Sequence, residues 1–325
     1  GQTDLRFLRK NSIPLRRWSR MLLDQGSPMK ILLTGKDGQV GFELQRSLAP
    51  LGEVVAVDFA DCDLSDAQAI RQLVATVCPD VIVNPAAYTA VDKAESDQGR
   101  AAAVNAVAPG IFGEEAAKVG ALVVHYSTDY VFDGIKDGAY SEADPTNPQS
   151  VYGRTKRDGE LALAKANPRH LILRTSWVVG AHGANFAKTM LKLAAERESL
   201  SVVADQWGAP TSAALLADIA AQLVRQWQRE SEAKANFPYG TYHCVAGGET
   251  NWCDYTRFVI GEAIKASKAI KVQPEAIKAI TTADYPTPAK RPANSRLDTR
   301  KFRDTFGLEL PHWQAGLHHI LQQIL

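Results

Sequence analysis

Two side chains four residues apart could carry acid–base chemistry. Tyr152 and Lys156 fall in a predicted helix over 150–165, and their spacing puts them on one face, one turn apart. A phenol with a pKa of about 10 is a poor acid–base group at neutral pH unless a cation stabilises its phenolate, and Lys156 supplies that charge. Thr128, which follows an apolar strand, could hydrogen-bond a substrate carbonyl. We therefore predict proton transfer at a carbonyl oxygen, with a solvated helix pair as the alternative.

A glycine-rich turn lies between the first predicted strand and the first predicted helix. Its GxxGxxG pattern provides glycine where the backbone turns sharply and where it must approach a pyrophosphate closely. The helix beyond offers free N–H groups and its positive dipole end to phosphates. This context predicts dinucleotide binding and disfavours a purely structural turn. The expected cofactor residues of the turn are Gly35, Gly38, Gln39, Val40 and Gly41.

Acidic and small residues follow the next two strands. Asp58 ends the second predicted strand, where a carboxylate can bond the adenosine ribose hydroxyls. It favours NAD, but Lys36 nearby would tolerate a 2′-phosphate, so NADH and NADPH both stay open. Asp63 and Leu64 are expected to contact the adenine, or else Asp63 is only a helix N-terminal acid. After the third strand, small residues leave room for a ligand at Ala86, Ala87, Tyr88 and Thr89.

Short apolar runs alternate with helical patterns from Met29 onward. The runs are apolar on both faces, as is typical of strands buried in a parallel sheet. One of the helices between them, from about Asp66 to Val77, has Ser65 as its capping signal. The order β-α-β-α-β-α-β predicts an α/β fold with a doubly wound, Rossmann-type parallel sheet. The predicted strands are 30–34, 54–57, 81–83, 121–125 and 171–176, and a long helix is predicted over 101–119.

Composition and charge exclude several classes of protein. The 37 Lys and Arg nearly balance the 36 Asp and Glu, so no excess of basic charge suggests nucleic-acid binding. No apolar run approaches the roughly 20 residues that cross a bilayer, so no membrane span is expected. The four cysteines and seven histidines show neither CxxC nor metal-ligand spacing. This predicts no metal site and a reducing, cytoplasmic location.

The first 28 residues differ from the rest. They hold six of the basic and two of the acidic residues, which leaves 29–325 with a formal charge of −3. An Arg-rich, acid-poor leader is typical of a targeting peptide, but a cloning extension or a start upstream of the natural one fits equally. The last two are favoured, because Met29 opens a strand. Residues 1–28 are therefore expected to lie outside the fold.

Taken together, the motifs resemble those of the extended short-chain dehydrogenase/reductase superfamily, and within it those of the dTDP-4-dehydrorhamnose reductases. The cofactor half carries the resemblance in ILLTGKDGQVGFEL (31–44), NPAAYTAVDKAE (84–95), HYSTDYVFDG (125–134) and VYGRTK (151–156). The second half carries it in LRTSWV (173–178), NFAKTMLK (185–192), DQWGAPT (205–211) and RPANSRLDT (291–299). These later segments belong to the sugar-binding part of the family.

The resemblance implies an NAD(P)H-dependent oxidoreductase of dTDP-rhamnose and polysaccharide biosynthesis. It would reduce the 4-keto group of dTDP-4-dehydro-6-deoxy-L-mannose to dTDP-L-rhamnose, with Tyr152 as the proton donor. It also implies a dinucleotide-binding domain over 29–176 and a smaller, interleaved α/β substrate-binding domain mainly over 177–325, with some segments returning to the core. Tyr126 joins the implied cofactor residues. The implied sugar site holds Thr128, Asp129 and Trp177, the last with a core indole as its alternative.

Three other readings stay open. A 4-epimerase of the same superfamily would keep Thr128, Tyr152 and Lys156, and a non-enzymatic, cofactor-binding regulatory subunit is known among the relatives. A nucleic-acid module is the weakest of the three. Some relatives form a magnesium-bridged dimer through a glutamate after the GAPT segment, but Ser212 and the two alanines after it stand here. A monomer or a homodimer is therefore expected, and its dependence on Mg²⁺ is in doubt.

Overall fold

The structure, a computed structural model, describes residues 27–230 and 236–325. Residues 1–28 were predicted to lie outside the fold. Only the last two of them are described, so this prediction concerns residues outside the described part. The strands in chain order are β1 Met29–Leu33, β2 Gly52–Ala56, β3 Val81–Asn84, β4 Leu122–Thr128, β5 His170–Thr175, β6 Val178–Val179, β7 Leu200–Val203, β8 Trp207–Gly208, β9 Thr211–Ser212, β10 Gly240–His243, β11 Thr250–Asn251 and β12 Ile277–Ile280.

The helices flank the sheet and build the smaller layer beside it. They are α1 Gln39–Leu48, α2 Ala67–Val77, α3 Val91–Ala94, α4 Gln98–Ala102, α5 Ala108–Val119, α6 Val151–Ala166, α7 Phe186–Glu196, α8 Ala213–Arg229, α9 Trp252–Lys265, α10 Arg300–Phe306 and α11 Trp313–Ile324. None in the described ranges is long and apolar enough to cross a bilayer.

Six parallel strands form the central sheet in the order β10-β5-β4-β3-β1-β2. Successive side chains of β1 pack into two apolar layers, one on each face of the sheet. Ile31 and Leu33 pack with α1 and α8, whereas Leu32 packs with α2 and α5 on the opposite face. Helices therefore cover both faces, which is why the strands are apolar throughout. The predicted α/β, doubly wound fold is confirmed.

The order of the strands reverses between β1 and β3. The chain leaves β1 toward β2 on one side and returns to β3 on the other. In open α/β sheets, ligands bind in the crevice outside the carboxyl ends of the strands at such a switch point. The β1–α1 turn and the loop after β3 both lie there.

The second half of the chain divides between this sheet and a smaller layer. Strand β10 extends the sheet beyond β5, and α8 and α10 pack into the apolar cluster beneath it. The strand pairs β6–β9, β7–β12 and β8–β11 stand apart from the sheet, with α7, α9 and α11 around two further apolar clusters. The chain thus leaves the sheet after β5 and returns to it twice.

Some predicted boundaries were wrong. The cap of α2 is Asp66, whose carboxylate accepts hydrogen bonds from the first turn, because the Ser65 hydroxyl donates to Asp63 instead. Strand β2 ends before Asp58, which lies in the following loop. The helix predicted over 101–119 begins earlier and is interrupted by a π-helical turn over 103–107, where Asn105 bonds the backbone of the loop after β3.

We expect Gly159→Ala to destabilise the protein. A Cβ at Gly159 in α6 would lie 2.0 Å from the carbonyl oxygen of Asn105, so the helix must move away. Overpacking of this kind costs about 1–3 kcal/mol. Gly261 in α9 is the matched control, since a Cβ there meets nothing within 4 Å. Alanine at this position should raise the free energy of unfolding by roughly 0.5–1 kcal/mol. Denaturant unfolding measures both, and equal stabilities of the two variants would contradict the close packing of α6.

Candidate active site

The β1–α1 turn is a glycine cradle. Gly35 has a φ of +58°, and a Cβ on Gly41 would lie 1.8 Å from the Gly35 carbonyl oxygen, so neither position accepts a side chain. Gly38 caps α1 without any side-chain hydrogen bond to its first turn. The N–H groups at the start of α1 are therefore available to an anion.

Two carboxylates face each other where β1 and β2 end. Asp37 and Asp58 share a hydrogen bond, which raises the pKa of Asp37 and lowers that of Asp58. The Asp58 carboxylate also accepts from the backbone of Ala60, 3.0 Å away. Lys36, which could have favoured a 2′-phosphate, lies 3.7 Å from an Asp61 carboxylate oxygen. This end of the site is therefore rich in negative charge.

Asp63 and Leu64 line the same end of the crevice. The Asp63 carboxylate accepts from the backbone and hydroxyl of Ser65 and lies 3.4 Å from Arg100. The bond from the Ser65 backbone is the main cause of its lowered pKa. Arg100 in turn lies over the Phe59 ring, 5.4 Å from its centroid. The carboxylate of Asp63 thus orders its own loop while the loop borders the cavity.

The loop after β3 is held by buried amides. Asn105 accepts from the backbone N–H of Tyr88 at 2.8 Å and donates to its carbonyl at 3.1 Å. Asn84 accepts from the Thr34 hydroxyl at 2.6 Å, and its amide lies 3.1 Å from Nδ1 of His125. These contacts fix the small residues after β3 at the edge of the crevice.

Tyr152 and Thr128 meet at the carboxyl end of β4. The Tyr152 side chain is half-buried, and the Thr128 hydroxyl lies beside its phenol and favours the ionised form. Burial of the phenol, reinforced by the charge of Asp129, nevertheless raises the pKa of Tyr152 to about 12. The phenol is therefore neutral at physiological pH and ready to donate a proton.

Lys156 lies one turn further along α6 and is buried. Its ammonium group donates to the Tyr126 carbonyl oxygen at 2.6 Å. Burial lowers its pKa to about 8, opposed by the nearby charge of Glu160. Lys156 was expected to depress the pKa of Tyr152, but that pKa is raised. The ammonium group points to the Tyr126 carbonyl, and burial is the largest influence on the pKa of the phenol.

Three buried polar atoms of cavity-lining residues have no hydrogen-bond partner within the described part of the chain. They are Oδ2 of Asp129, Oγ1 of Thr175 and Oγ of Ser176, and all three residues line the cavity. Burial raises the pKa of Asp129 to about 6. Unpaired buried polar atoms are costly, so their presence here fits a site shaped for a polar ligand.

Two stacked tryptophans line the cavity. Trp177 directly follows β5 with a φ of +49°, an uncommon backbone for a residue with a bulky side chain. Its ring stacks on Trp252 with centroids 3.8 Å apart, and a Cβ on Gly208 would lie 2.9 Å from it. Trp252 was not predicted; it begins α9, far along the chain, and nothing in its sequence context marks it.

One cavity of about 820 Å³ unites these parts. Its size falls in the range of roughly 300–1,000 Å³ for small-molecule and cofactor sites. Residues that sequence reasoning missed also line it, namely Asp37, Phe59, Arg100 and Trp252. All eighteen predicted site residues line it: Gly35, Gly38, Gln39, Val40, Gly41, Asp58, Asp63, Leu64, Ala86, Ala87, Tyr88, Thr89, Tyr126, Thr128, Asp129, Tyr152, Lys156 and Trp177.

Tyr126 differs from the other members of the set. Its side chain packs in the apolar cluster beneath the sheet, and its hydroxyl donates to the Leu216 carbonyl. Only its backbone carbonyl takes part in the polar site, as the acceptor for Lys156. Tyr126 as a cofactor residue stays a prediction, which its backbone and not its ring would have to meet.

In the described ranges, no group of three or more His, Cys, Asp or Glu side chains is arranged to hold a metal ion. Ser212, which follows the GAPT segment, caps α8 by accepting from the Leu215 N–H at 3.0 Å.

A doubly wound parallel sheet, a glycine cradle at its switch point and a Thr–Tyr–Lys set on one cavity define the class of short-chain dehydrogenases/reductases. The family model described as RmlD substrate binding domain matches residues 29–325. A dTDP-4-dehydrorhamnose reductase of Salmonella typhimurium is 50% identical over 300 residues, covering 91% of this chain and 98% of the relative. The chain belongs to the dTDP-4-dehydrorhamnose reductase family.

Solved structures of the family share the fold. The dTDP-4-dehydrorhamnose reductase of Clostridium acetobutylicum superimposes with a TM-score of 0.82 at 36% identity, covering 90% of this chain and 99% of that one. The enzyme of Bacillus anthracis, solved in complex with NADP, gives a TM-score of 0.80 at 31% identity, covering 92% and 100%.

Proposed function

We propose that this chain uses NAD(P)H to reduce the 4-keto group of dTDP-4-dehydro-6-deoxy-L-mannose, giving dTDP-L-rhamnose. The observation that carries the proposal is a neutral Tyr152 that lies beside Thr128 on the cavity that also contains the glycine cradle. The chain spans almost the whole length of relatives with this name. The bound dinucleotide supplies the hydride.

The residues present fit a dinucleotide. The cradle of Gly35, Gly38 and Gly41 and the free N–H groups of α1 suit the pyrophosphate. Asp58 suits the adenosine ribose hydroxyls, and the small residues after β3 leave room beside the sheet. Lys156, which lines the same cavity, is assigned to the nicotinamide ribose.

Tyr152 is assigned the proton transfer. Its hydroxyl gives a proton to the sugar's carbonyl oxygen, and Thr128 steadies that oxygen by hydrogen bonding. The raised pKa of Tyr152 keeps the proton in place until the carbonyl oxygen becomes basic. The unpartnered oxygen of Asp129 is placed to accept from a sugar hydroxyl, and Trp177 provides a flat apolar wall.

The division of labour within the chain follows from these assignments. Residues 29–176 hold the dinucleotide, and 177–325 mainly hold the sugar nucleotide, with β10, α8 and α10 serving the sheet. All the assigned residues come from one chain, so a monomer suffices and a homodimer is compatible. All four cysteines are free thiols, which fits a reaction in the reducing cytoplasm.

A direct assay tests the proposed function. The protein, NADH or NADPH, and the 4-keto sugar nucleotide are mixed, and absorbance of the reduced cofactor is followed while the sugar product is identified. We expect stoichiometric oxidation of the cofactor with formation of dTDP-L-rhamnose. A 4-epimerase would isomerise the sugar without net cofactor consumption. A regulatory subunit would bind the cofactor and leave both compounds unchanged.

Tyr152→Phe should abolish most of the turnover. The variant keeps the ring and loses only the hydroxyl, so dinucleotide affinity should stay within about twofold, and kcat should fall by about 100- to 10,000-fold, the usual contribution of general acid catalysis. Steady-state kinetics and fluorescence titration with NADPH measure the two effects. Turnover near that of the unaltered protein would remove Tyr152 from its assigned role.

The Asp37–Asp58 pair predicts tighter binding of NADH than of NADPH. A 2′-phosphate would meet two carboxylates, and the neighbouring Lys36 is engaged by Asp61. Asp37→Ser removes one of these charges, so its affinity for NADPH should rise severalfold while that for NADH barely changes. Calorimetric titration with each cofactor checks this. Glu53→Gln, which removes an exposed charge on β2 outside the cavity lining, is the control; an equal gain there would point to a general charge effect.

A further inference from the structure

A row of buried polar side chains lies behind the candidate site. The Ser127 hydroxyl donates to Oε2 of Glu160 at 2.5 Å. Arg174 binds the same carboxylate through two of its nitrogens, at 2.7 Å to Oε1 and 3.0 Å to Oε2. The other face of Arg174 contacts Nε2 of His243 at 3.3 Å. All four residues are buried, with 6% or less of their surface exposed.

The strands of the sheet align this row. Ser127 of β4 is paired in register with Arg174 of β5, and Arg174 with His243 of β10. The Phe132 ring covers the guanidinium 5.1 Å away. Burial and the charge of Arg174 lower the pKa of His243 to about 3, so the imidazole is neutral. Within the row Arg174 thus binds one carboxylate, that of Glu160, while Glu142 lies behind His243 at 3.3 Å from its Nδ1.

Helix α6 connects the row to the reaction. Glu160 follows Lys156 by one turn, and both side chains reach neighbouring residues of β4: Lys156 bonds the Tyr126 carbonyl and Glu160 the Ser127 hydroxyl. The next residue, Thr128, lies beside the Tyr152 phenol and lowers its pKa. The Glu160 carboxylate thus fixes the end of β4, which carries the Thr128 hydroxyl. The same carboxylate lies one helical turn from the Lys156 ammonium group.

Stability alone is a weak explanation for a buried ion pair. Taking both charges out of water is costly, and well-packed apolar residues in their place are often equally or more stable. Glu160 and Arg174 are both almost fully buried. A role in the electrostatics of the site accounts for the pair better than a contribution to folding.

We propose that Glu160 is a positioning residue of the reduction. Arg174 fixes the Glu160 carboxylate, and this carboxylate orients Ser127 and keeps Lys156 in its ammonium form. The inference rests on the proposed function. The titratable and charged groups around Lys156 are Glu160 and Tyr152 on its own helix and His125 on β4, with Arg174 of β5 behind Glu160. Burial lowers the pKa of His125 well below its ordinary value, so it adds no charge.

The pH dependence distinguishes this role from a structural one. If the ammonium form of Lys156 is required, kcat declines as the pH rises through about 8. Glu160→Gln removes the charge that favours this form, so the decline should begin about one pH unit lower, with kcat about tenfold reduced on the alkaline side. Arg174→Lys is the matched control. It disturbs the same ion pair but keeps both charges, so it should lower stability and leave the pH midpoint in place.

A second readout separates the two proposals. The affinity for NADPH, followed by fluorescence titration against pH, should show the same downward shift in Glu160→Gln whether or not the keto sugar is reduced. If Glu160→Gln fails to fold, the pair Glu160→Gln with Arg174→Gln leaves no uncompensated buried charge and should show the shift instead. An unchanged midpoint in a folded Glu160→Gln protein, or an equal shift in Arg174→Lys, overturns the inference.

Discussion

Helix α6 can pack closely against the turn after β4 and the π-helical turn over 103–107 only because two of its residues lack a side chain. A Cβ on Gly153 would lie 2.2 Å from the Tyr130 carbonyl oxygen, and one on Gly159 would lie 2.0 Å from that of Asn105. Backbone carbonyls cannot swing aside as flexible side chains can. The same helix places side chains of three successive turns, Tyr152, Lys156 and Glu160, beside residues 126–128 at the end of β4.

Burial then sets the charge of each group in this contact. The same low-polarity surroundings raise the pKa of Tyr152 to about 12, lower that of Lys156 to about 8 and raise that of Asp129 to about 6. The environment thus moves the pKa values of the Tyr152 phenol and the Lys156 amine apart, as acid–base sites require. Both groups keep their protons at neutral pH. The near-neutral charge of the whole chain has no bearing on this, because the relevant fields are local and buried.

The sequence predicts those parts of the fold and site that depend on neighbours in the chain. The glycine turn and the Tyr152–Lys156 pair each lie within one turn or one loop, where spacing fixes geometry. Contacts between distant residues leave no such pattern: the Asp37–Asp58 hydrogen bond joins two loops, and Trp252 reaches Trp177 from another layer. Tyr126 shows a further limit, because strand alternation turns its ring into the core while its carbonyl serves the site.

The sheet's last strand ties the second half of the chain to the chemistry of the first. Strand β10 pairs with β5 about 70 residues after it and places His243 beside Arg174, where the imidazole contacts the guanidinium and bonds the Tyr140 carbonyl. Without β10, β5 would become an edge strand, and Arg174 would face solvent on the side opposite Glu160. Water there would screen the ion pair and loosen the carboxylate that orients Ser127. The return of the chain's second half to the sheet therefore helps to keep the Glu160–Arg174 ion pair buried.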